Sequence, residues 1–367
     1  MNDLGQKTDT AATADAGSQK APPLSFVNAM LATPVGPVGQ ISHDWRWRDW
    51  FGAAKMRLDI GRLAYAIPPG LYASGKPSAE APVLVTANYK LTVDVLRRAI
   101  AGIDAWLLVL DTRGINVWCA AGKGTFGTTE LVNRIAVCRL PELVSHRTII
   151  VPQLGAPGIA AHQVLAASGF RVVYGPVRAH DLPKFLQLGM QASQEMRTVT
   201  FNLAERLTVV PVEIMHWGKW LAAIIVAAAA SAALGAGNVS LPFWGASALR
   251  LLIAFAGGAL LGPALFPWLP GRAFAAKGAF SGLLALAIML AAGLLPMDGL
   301  VNKLQTGGWA LLTLSISSFL MLSYTGSSPY TSFSGTQVET RIGIRLQWAA
   351  GIAGMALLIL PMFFERG

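Results

Sequence analysis

The chain has 367 residues, 53% of them hydrophobic and 13% charged, with 29 Lys and Arg against 19 Asp and Glu. That length holds two domains, and the net charge of +10, spread as scattered basic residues that often flank apolar runs, argues against nucleic acid as the partner. Its two cysteines, Cys119 and Cys138, form no C-x-x-C pair, which excludes a zinc site or an iron–sulfur cluster built from this chain's thiols alone.

Residues 1–40 are rich in Ala, Thr, Gly and Pro without apolar period and are expected to form a disordered tail. Met1-Asn2-Asp3-Leu4-Gly5 has no basic stretch leading into an apolar core, so no signal peptide is expected and the domain that follows should stay in the cytoplasm. Residues 43–72 interleave Trp45, Arg46, Trp47, Arg48, Trp50, Phe51, Lys55 and Arg57, a mixture that suits a segment packed on the main domain, a lipid headgroup surface or nucleic acid.

From about 82 to 200 apolar runs alternate with helical periodicity. The pattern predicts strands over Pro82–Ala87, Ala105–Leu110, Arg147–Pro152 and Arg171–Tyr174, and helices over Thr92–Ile100, Thr128–Val137, Ala160–Ala167 and Asp181–Gly189. Alternation of this kind means a parallel sheet covered on both faces, with ligands bound beyond the carboxyl ends of its strands. The loops there are Thr86-Ala87-Asn88-Tyr89, Gly155-Ala156-Pro157-Gly158 and Gly175-Pro176-Val177, whose glycines would let backbone approach a large flat ligand.

The fourth strand-end element is Asn116-Val117-Trp118-Cys119-Ala120-Ala121-Gly122-Lys123. With Asn116 as N-cap, Cys119 falls at the third helical position, where free backbone N–H groups and the helix dipole should lower its pKa. Gly122-Lys123-Gly124-Thr125 imitates the tail of a phosphate-binding loop, but Val117 and Gly124 stand where that loop needs Gly and Ser or Thr. Cys138 ends an apolar helical stretch, and core packing is its expected role.

This eight-residue string resembles the cap-helix signature of the mercury-methylation corrinoid proteins, the HgcA family. The surrounding loops resemble the corrinoid domain of the large subunit of the corrinoid iron–sulfur protein, over roughly 45–210. The resemblance implies a Rossmann-like parallel-sheet corrinoid-binding domain over 41–210. It implies a corrinoid (cobalamin-type) cofactor whose cobalt takes the Cys119 thiolate as lower axial ligand, with Thr86 in the loop beneath the ring. By the same resemblance the cofactor-binding set is Thr86, Asn88, Asn116, Val117, Trp118, Cys119, Ala120, Ala121, Gly122, Lys123, Gly155, Gly158 and Gly175, with Cys119 as the catalytic residue. The implied reaction is methyl transfer from cobalt to Hg(II), presented as a thiolate complex. Its implied partners are a ferredoxin-like iron–sulfur protein as reductant and a methyl donor from the methyltetrahydrofolate route. The alternatives are a membrane-anchored corrinoid methyl carrier of one-carbon (acetyl-CoA pathway) metabolism and a non-catalytic corrinoid-binding membrane protein. A similar aromatic and basic segment occurs in that family, which favours packing on the main domain for 43–72.

Composition changes near His216, and 211–367 is expected to be an all-α transmembrane domain. Apolar spans at about 220–237, 251–269, 278–296, 307–324 and 346–364 each approach the roughly 20 residues that cross a bilayer. With the first domain in the cytoplasm, Arg272, Lys277, Arg341 and Arg345 fall in inner loops and Asp298 and Lys303 in outer ones, as the positive-inside rule asks. Trp220, Trp268, Trp309 and Trp348 near span ends suit interfacial anchors. Few ionisable groups lie inside the spans, which favours anchoring over transport. The inner loop 326–340, with Tyr330 and Phe333, could contact the first domain or a partner.

Overall fold

The computed structural model describes residues 25–233, 241–327 and 333–361. Seven strands, β1 (Val27–Thr33), β2 (Gly36–Ile41), β3 (Gly70–Ser74), β4 (Val83–Ala87), β5 (Ala105–Leu110), β6 (Thr148–Val151) and β7 (Arg171–Tyr174), form one mixed sheet in the order β1-β2-β3-β5-β4-β6-β7. The helices flanking it are α1 (Trp47–Arg57), α2 (Lys90–Ala99), α3 (Val117–Lys123), α4 (Thr128–Val137), α5 (Leu140–Leu143), α6 (Ala161–Ser168), α7 (Leu182–Gln187) and α8 (Gln194–Arg197).

The four strands expected from the apolar runs are the parallel block β5-β4-β6-β7. β4 and β5 are buried along their whole length, as strands covered on both faces should be. Chain order reverses across β4, with β5 on one side and β6 on the other, so the crevice of an open α/β sheet opens at the end of β4.

The other three strands depart from the sequence reading in two ways. The expected disordered tail ends early: residues 1–24 lie outside the described residues, but β1 and β2 pair antiparallel from Thr33↔Gly36 to Val27↔Ile41. β2 then runs parallel to β3, and β3 antiparallel to β5, so the sheet is mixed and not wholly parallel. Gly36, Pro37 and Gly39 have poor strand propensity, and neighbouring strands supply what propensity does not.

α1 is fastened to α2 by a buried cluster of charges. Arg97, fully buried, pairs with Asp94 and Asp49 at 2.9 Å each, and Lys90 reaches Asp49 at 2.7 Å and Asp94 at 2.6 Å. Arg97 also donates to the Ser42 and Asp44 carbonyls, and the Trp45 indole N–H donates to the Asp94 carbonyl at 2.8 Å. Burial pushes the Asp49 carboxyl up, but hydrogen bonds from Lys90 and the Arg46 backbone, with the Lys90 and Arg97 charges, outweigh it and hold it below its ordinary value.

The remaining helices are α9 (Leu203–Ala233), α10 (Leu241–Ala256), α11 (Gly262–Leu265), α12 (Phe274–Ala291), α13 (Gly299–Ser323) and α14 (Phe333–Ile359). Among the described residues five helical stretches are long and apolar enough to cross a membrane: Leu203–Ala230, Trp244–Leu265, Phe274–Ala291, Gly299–Gly326 and Gly335–Ile359. Each begins before the expected span, α9 by the most, because hydropathy marks the lipid-soluble part of a helix and not its first turns. Tyr330 lies outside the described residues.

The bundle packs through small side chains. A Cβ added at Gly278 would stand 2.6 Å from the Ser317 carbonyl, one at Gly258 2.7 Å from the same oxygen, and one at Gly308 2.8 Å from the Gly354 carbonyl. Close backbone approach of this kind is how apolar helices associate when lipid is as apolar as they are. Trp220, Trp268 and Trp348 are exposed, as anchors should be, but Trp309 is only 9% exposed, with the Arg250 guanidinium 5.3 Å from its ring centre. Trp309 is therefore a packing residue of the bundle and not an interfacial anchor.

Candidate functional site

The turn between β5 and α3 is built by Asn88, at the end of β4. Its side-chain oxygen accepts the Thr112 and Gly114 backbone N–H groups at 3.1 and 2.9 Å, and its amide donates to Asp111 at 3.3 Å. The Thr112 hydroxyl donates to the Ile115 carbonyl at 2.6 Å, which delivers the chain to Asn116. Asn88, expected among the cofactor ligands, is thus buried and occupied by its own chain.

α3 begins as its sequence requires. Asn116 is extended and its side-chain oxygen accepts the Cys119 N–H at 3.0 Å, and Gly124 closes the helix in the left-handed conformation at φ +80°. Ala120 and Ala121 face the core, Gly122 and Lys123 are exposed, and Cys119 is half-buried between the two faces. Cap and dipole do not prevail over burial: burial pushes the Cys119 thiol up, with the Arg62 and Lys123 charges and the Asn116 side chain pulling the other way. This corrects the expected fall, since seven residues give a weak dipole and the sulfur is largely withdrawn from water. Cys138, at the C-cap of α4, is also half-buried, packs against the main core, and is likewise pushed up by burial.

Beside the start of α3, beyond the ends of β4 and β6, is a cavity of about 450 Å³. Thr86, Asn116, Val117 and Trp118 line it, together with Tyr89 and Pro152. Cys119 follows directly on this wall. Arg62, itself a wall residue, is near enough to act on the thiol and also hydrogen-bonds Tyr89.

Two walls of the cavity were not foreseen. One is Met56, Arg57 and Arg62, from the end of α1 and the 3-10 turn Arg62–Ala64; the other is Thr208, Val209 and Val212 of α9. The bundle therefore does more than hold the domain in place: its first helix closes the site. Arg57 belongs to the aromatic and basic run that the sequence singled out, but no local pattern ties α9 to the strand ends.

The loop glycines admit close approach by protein. A Cβ at Gly155 would stand 2.4 Å from the Phe126 ring, one at Gly158 2.1 Å from the Phe126 carbonyl, and one at Gly175 3.0 Å from Ile150. The 3-10 turn Gln153–Gly158 is thereby pressed onto α3 and the segment after it. Among the described residues no cluster of three or more His, Cys, Asp or Glu could hold a metal ion.

Comparison with known proteins places similarity on this same region. The family model described as CO dehydrogenase/acetyl-CoA synthase delta subunit matches residues 62–185, from the Arg62 turn to α7. The acetyl-CoA decarbonylase/synthase complex subunit gamma of Methanopyrus kandleri is 34% identical over 123 residues, 33% of this chain and 26% of the relative. That of Methanosarcina acetivorans is 35% identical over 130 residues, 34% of this chain and 27% of the relative, and that of Archaeoglobus fulgidus 30% over 128 residues. The chain spans about a quarter of the length of these relatives. The family match covers Cys119 and the strand-end side of the cavity and ends before the first helix of membrane-spanning length.

Proposed function

We propose that this chain is a membrane-anchored, corrinoid-dependent methyl-transfer protein in which the Cys119 sulfur would hold the cobalt of the corrinoid. The observation that carries this reading is a half-buried thiol in a helix capped by Asn116, directly after Asn116, Val117 and Trp118 of the wall of a cavity where parallel strands end. A thiolate is a soft donor suited to a soft metal centre, and a macrocycle would bring the remaining donors. Bound there, the corrinoid would supply a methyl group carried on cobalt.

The protein's own residues prepare that ligand. Asn116 fixes the backbone from which the sulfur projects, a positioning role. Arg62 and Lys123 stabilise the thiolate when coordination displaces its proton. Val117, Trp118, Val209 and Val212 give the cavity apolar walls, and Arg62 would offer a cation to an anionic group of the bound cofactor. Asn88, Gly155, Gly158 and Gly175 support this frame from behind, and Thr86 is the polar wall group nearest the end of β4.

Two acceptors fit. Similarity to acetyl-CoA decarbonylase/synthase subunits favours a methyl carrier of one-carbon metabolism. The Asn-Val-Trp-Cys-Ala-Ala-Gly-Lys string favours Hg(II), presented as a thiolate complex, because the acceptor of a carbanion-like methyl should be soft. Repeated carbanion-like transfer to Hg(II) would draw two electrons per methyl from an external reductant such as a ferredoxin-like iron–sulfur protein, since two cysteines cannot hold a cluster; a carrier that passes on a methyl cation would need that reductant only for reactivation, and both readings take their methyl from the methyltetrahydrofolate route. The α/β domain is assigned to the cytoplasmic side of the inner membrane on the loop charges Arg272, Arg341 and Arg345.

The test uses the full chain in detergent, loaded with methylcobalamin and supplied with a chemical reductant. The wild type should show a corrinoid spectrum that Cys119→Ala changes, and methyl loss to Hg(II)–thiolate or to a protein acceptor should disappear in the variant. An identical spectrum in wild type and Cys119→Ala would exclude sulfur ligation. Transfer to the protein acceptor without transfer to Hg(II) would select the one-carbon reading.

A further inference from the structure

α1 wears its apolar side outward. Asp49, Gly52, Ala53 and Met56 are its buried residues, whereas Trp47 is 71% and Phe51 60% exposed, with Leu58, the C-cap, continuing the stripe. A surface helix on a soluble domain shows the opposite pattern, and contiguous large apolar groups facing out mark an interaction surface. Cations flank the stripe: the Arg48 guanidinium lies 5.4 Å from the Trp47 ring centre and the Lys55 ammonium 5.9 Å from that of Phe51. The outward face carries no carboxylate, since Asp49 is turned onto Lys90 and Arg97.

The position of the helix says what covers it. Just beyond α1, Asp59 meets His216 of α9 at 3.2 Å. His216 is followed on α9 by Trp217, Lys219 and the exposed Trp220, the mixture of aromatic and basic residues found where a helix crosses the headgroup layer. The end of α1 is therefore at the height where α9 enters the bilayer. Ile60, exposed between Asp59 and the Arg62 turn, extends the apolar surface toward that same place.

We propose that α1 and the residues up to Ile60 form an interfacial docking surface for the anionic phospholipid headgroup layer of the membrane that α9 crosses. Trp47, Phe51, Leu58 and Ile60 enter the interface, and Arg48, Lys55 and Arg57 meet lipid phosphates. The inference rests on the reading of α9 as a membrane span. It has a consequence for the site, because Arg57 of this surface, the buried Met56 beside it and Arg62 just after it also line the cavity, so the lipid layer would hold one cavity wall in position.

The test is spin-label accessibility in the full chain carrying Cys119→Ser and Cys138→Ala, reconstituted in nanodiscs of phosphatidylcholine with phosphatidylglycerol. Labels go at Phe51→Cys, at Ile224→Cys on the exposed side of α9, and at Val137→Cys on the exposed end of α4. The proposal expects the label at 51 to collide severalfold more with oxygen than with an aqueous nickel complex, as at 224, while that at 137 favours nickel. Reversing the cations (Arg48→Glu with Lys55→Glu), or omitting phosphatidylglycerol, should shift 51 toward water. An aqueous signal at 51 with a lipid signal at 224 would overturn the docking surface and leave the span intact; aqueous signals at both would overturn the span itself. An aqueous 51 that becomes protected only when a reduced ferredoxin is added would also overturn it, assigning the face to a protein.

Discussion

The two halves of this molecule solve burial in opposite ways. In the α/β half, large side chains interdigitate around the sheet and the charges that must go inside are gathered into one closed cluster, Asp49, Lys90, Asp94 and Arg97. In the helical half the contacts are made by the absence of side chains, with Gly258, Gly278 and Gly308 bringing backbones together. Water makes the first solution work, because burying apolar area is itself favourable. Lipid removes that advantage and leaves packing, so small residues decide. The cavity sits where the two regimes meet, with strand ends on one side and α9 on the other.

The most damaging way to break the first half is Arg97→Met. It would strand Asp49 and Asp94 with Lys90 alone and remove the donor to the Ser42 and Asp44 carbonyls. Loss of one member of a buried pair costs about 3–5 kcal/mol. Chemical denaturation should show that loss, and hydrogen exchange should show α1 released first. The same cluster sets an acid limit in the wild type. The Asp49 carboxyl is held below 3.8, so its contribution is complete above that value and disappears as pH falls through the lower folded-state value. Exchange in α1 that did not accelerate in this acid window would show that the helix is held by apolar contact alone.

A matched pair of smaller changes sharpens the contrast. Gly158→Val drives a Cβ to 2.1 Å from the Phe126 carbonyl, and Gly278→Val drives one to 2.6 Å from the Ser317 carbonyl. Each meets backbone that cannot swing aside, and overpacking of this sort costs about 1–3 kcal/mol. Their consequences should separate. Gly158→Val lifts the Gln153–Gly158 turn off α3 and should weaken corrinoid binding while leaving the thermal stability of the bundle unchanged, whereas Gly278→Val should lower bundle stability in detergent and leave corrinoid binding nearly intact. Equal effects of both variants on binding would mean that the halves are one cooperative unit.

How much of this was readable beforehand follows the same division. Strands β4 to β7 could be seen because strands covered on both faces are continuous apolar runs, and α4 was legible to the residue. β1 to β3 were not, since Gly36, Pro37 and Gly70 look like loop and only sheet neighbours make them strand. The cap at Asn116 and the thiol at Cys119 could be read from spacing alone, because capping is local. The thiol's environment could not: Arg62 acts on it from a distant part of the chain, α9 closes on the cavity beside it from another, and burial reverses the direction that the cap suggests. The contact of the loop glycines Gly155 and Gly158 with Phe126 was not legible, because close approach by a ligand and close approach by Phe126 leave the same mark on a sequence.

The smallest effect is the most specific. Asn116→Ala removes the side-chain acceptor of the Cys119 N–H and should cost about 1 kcal/mol, too little to unfold a domain with this core. Its influence on the site should be larger than on stability, because the Asn116 side chain holds the first turn from which the sulfur projects. The expected outcome is a corrinoid spectrum intermediate between wild type and Cys119→Ala, with cofactor affinity reduced, and recovery of both in Asn116→Asp, which keeps an N-cap acceptor. If Asn116→Ala lowered stability by the full amount and left the spectrum and affinity untouched, the cap would be serving α3 and not the thiol. The chain's longest local motif would then be a folding signal, and the case for Cys119 would have to rest on the cavity wall alone.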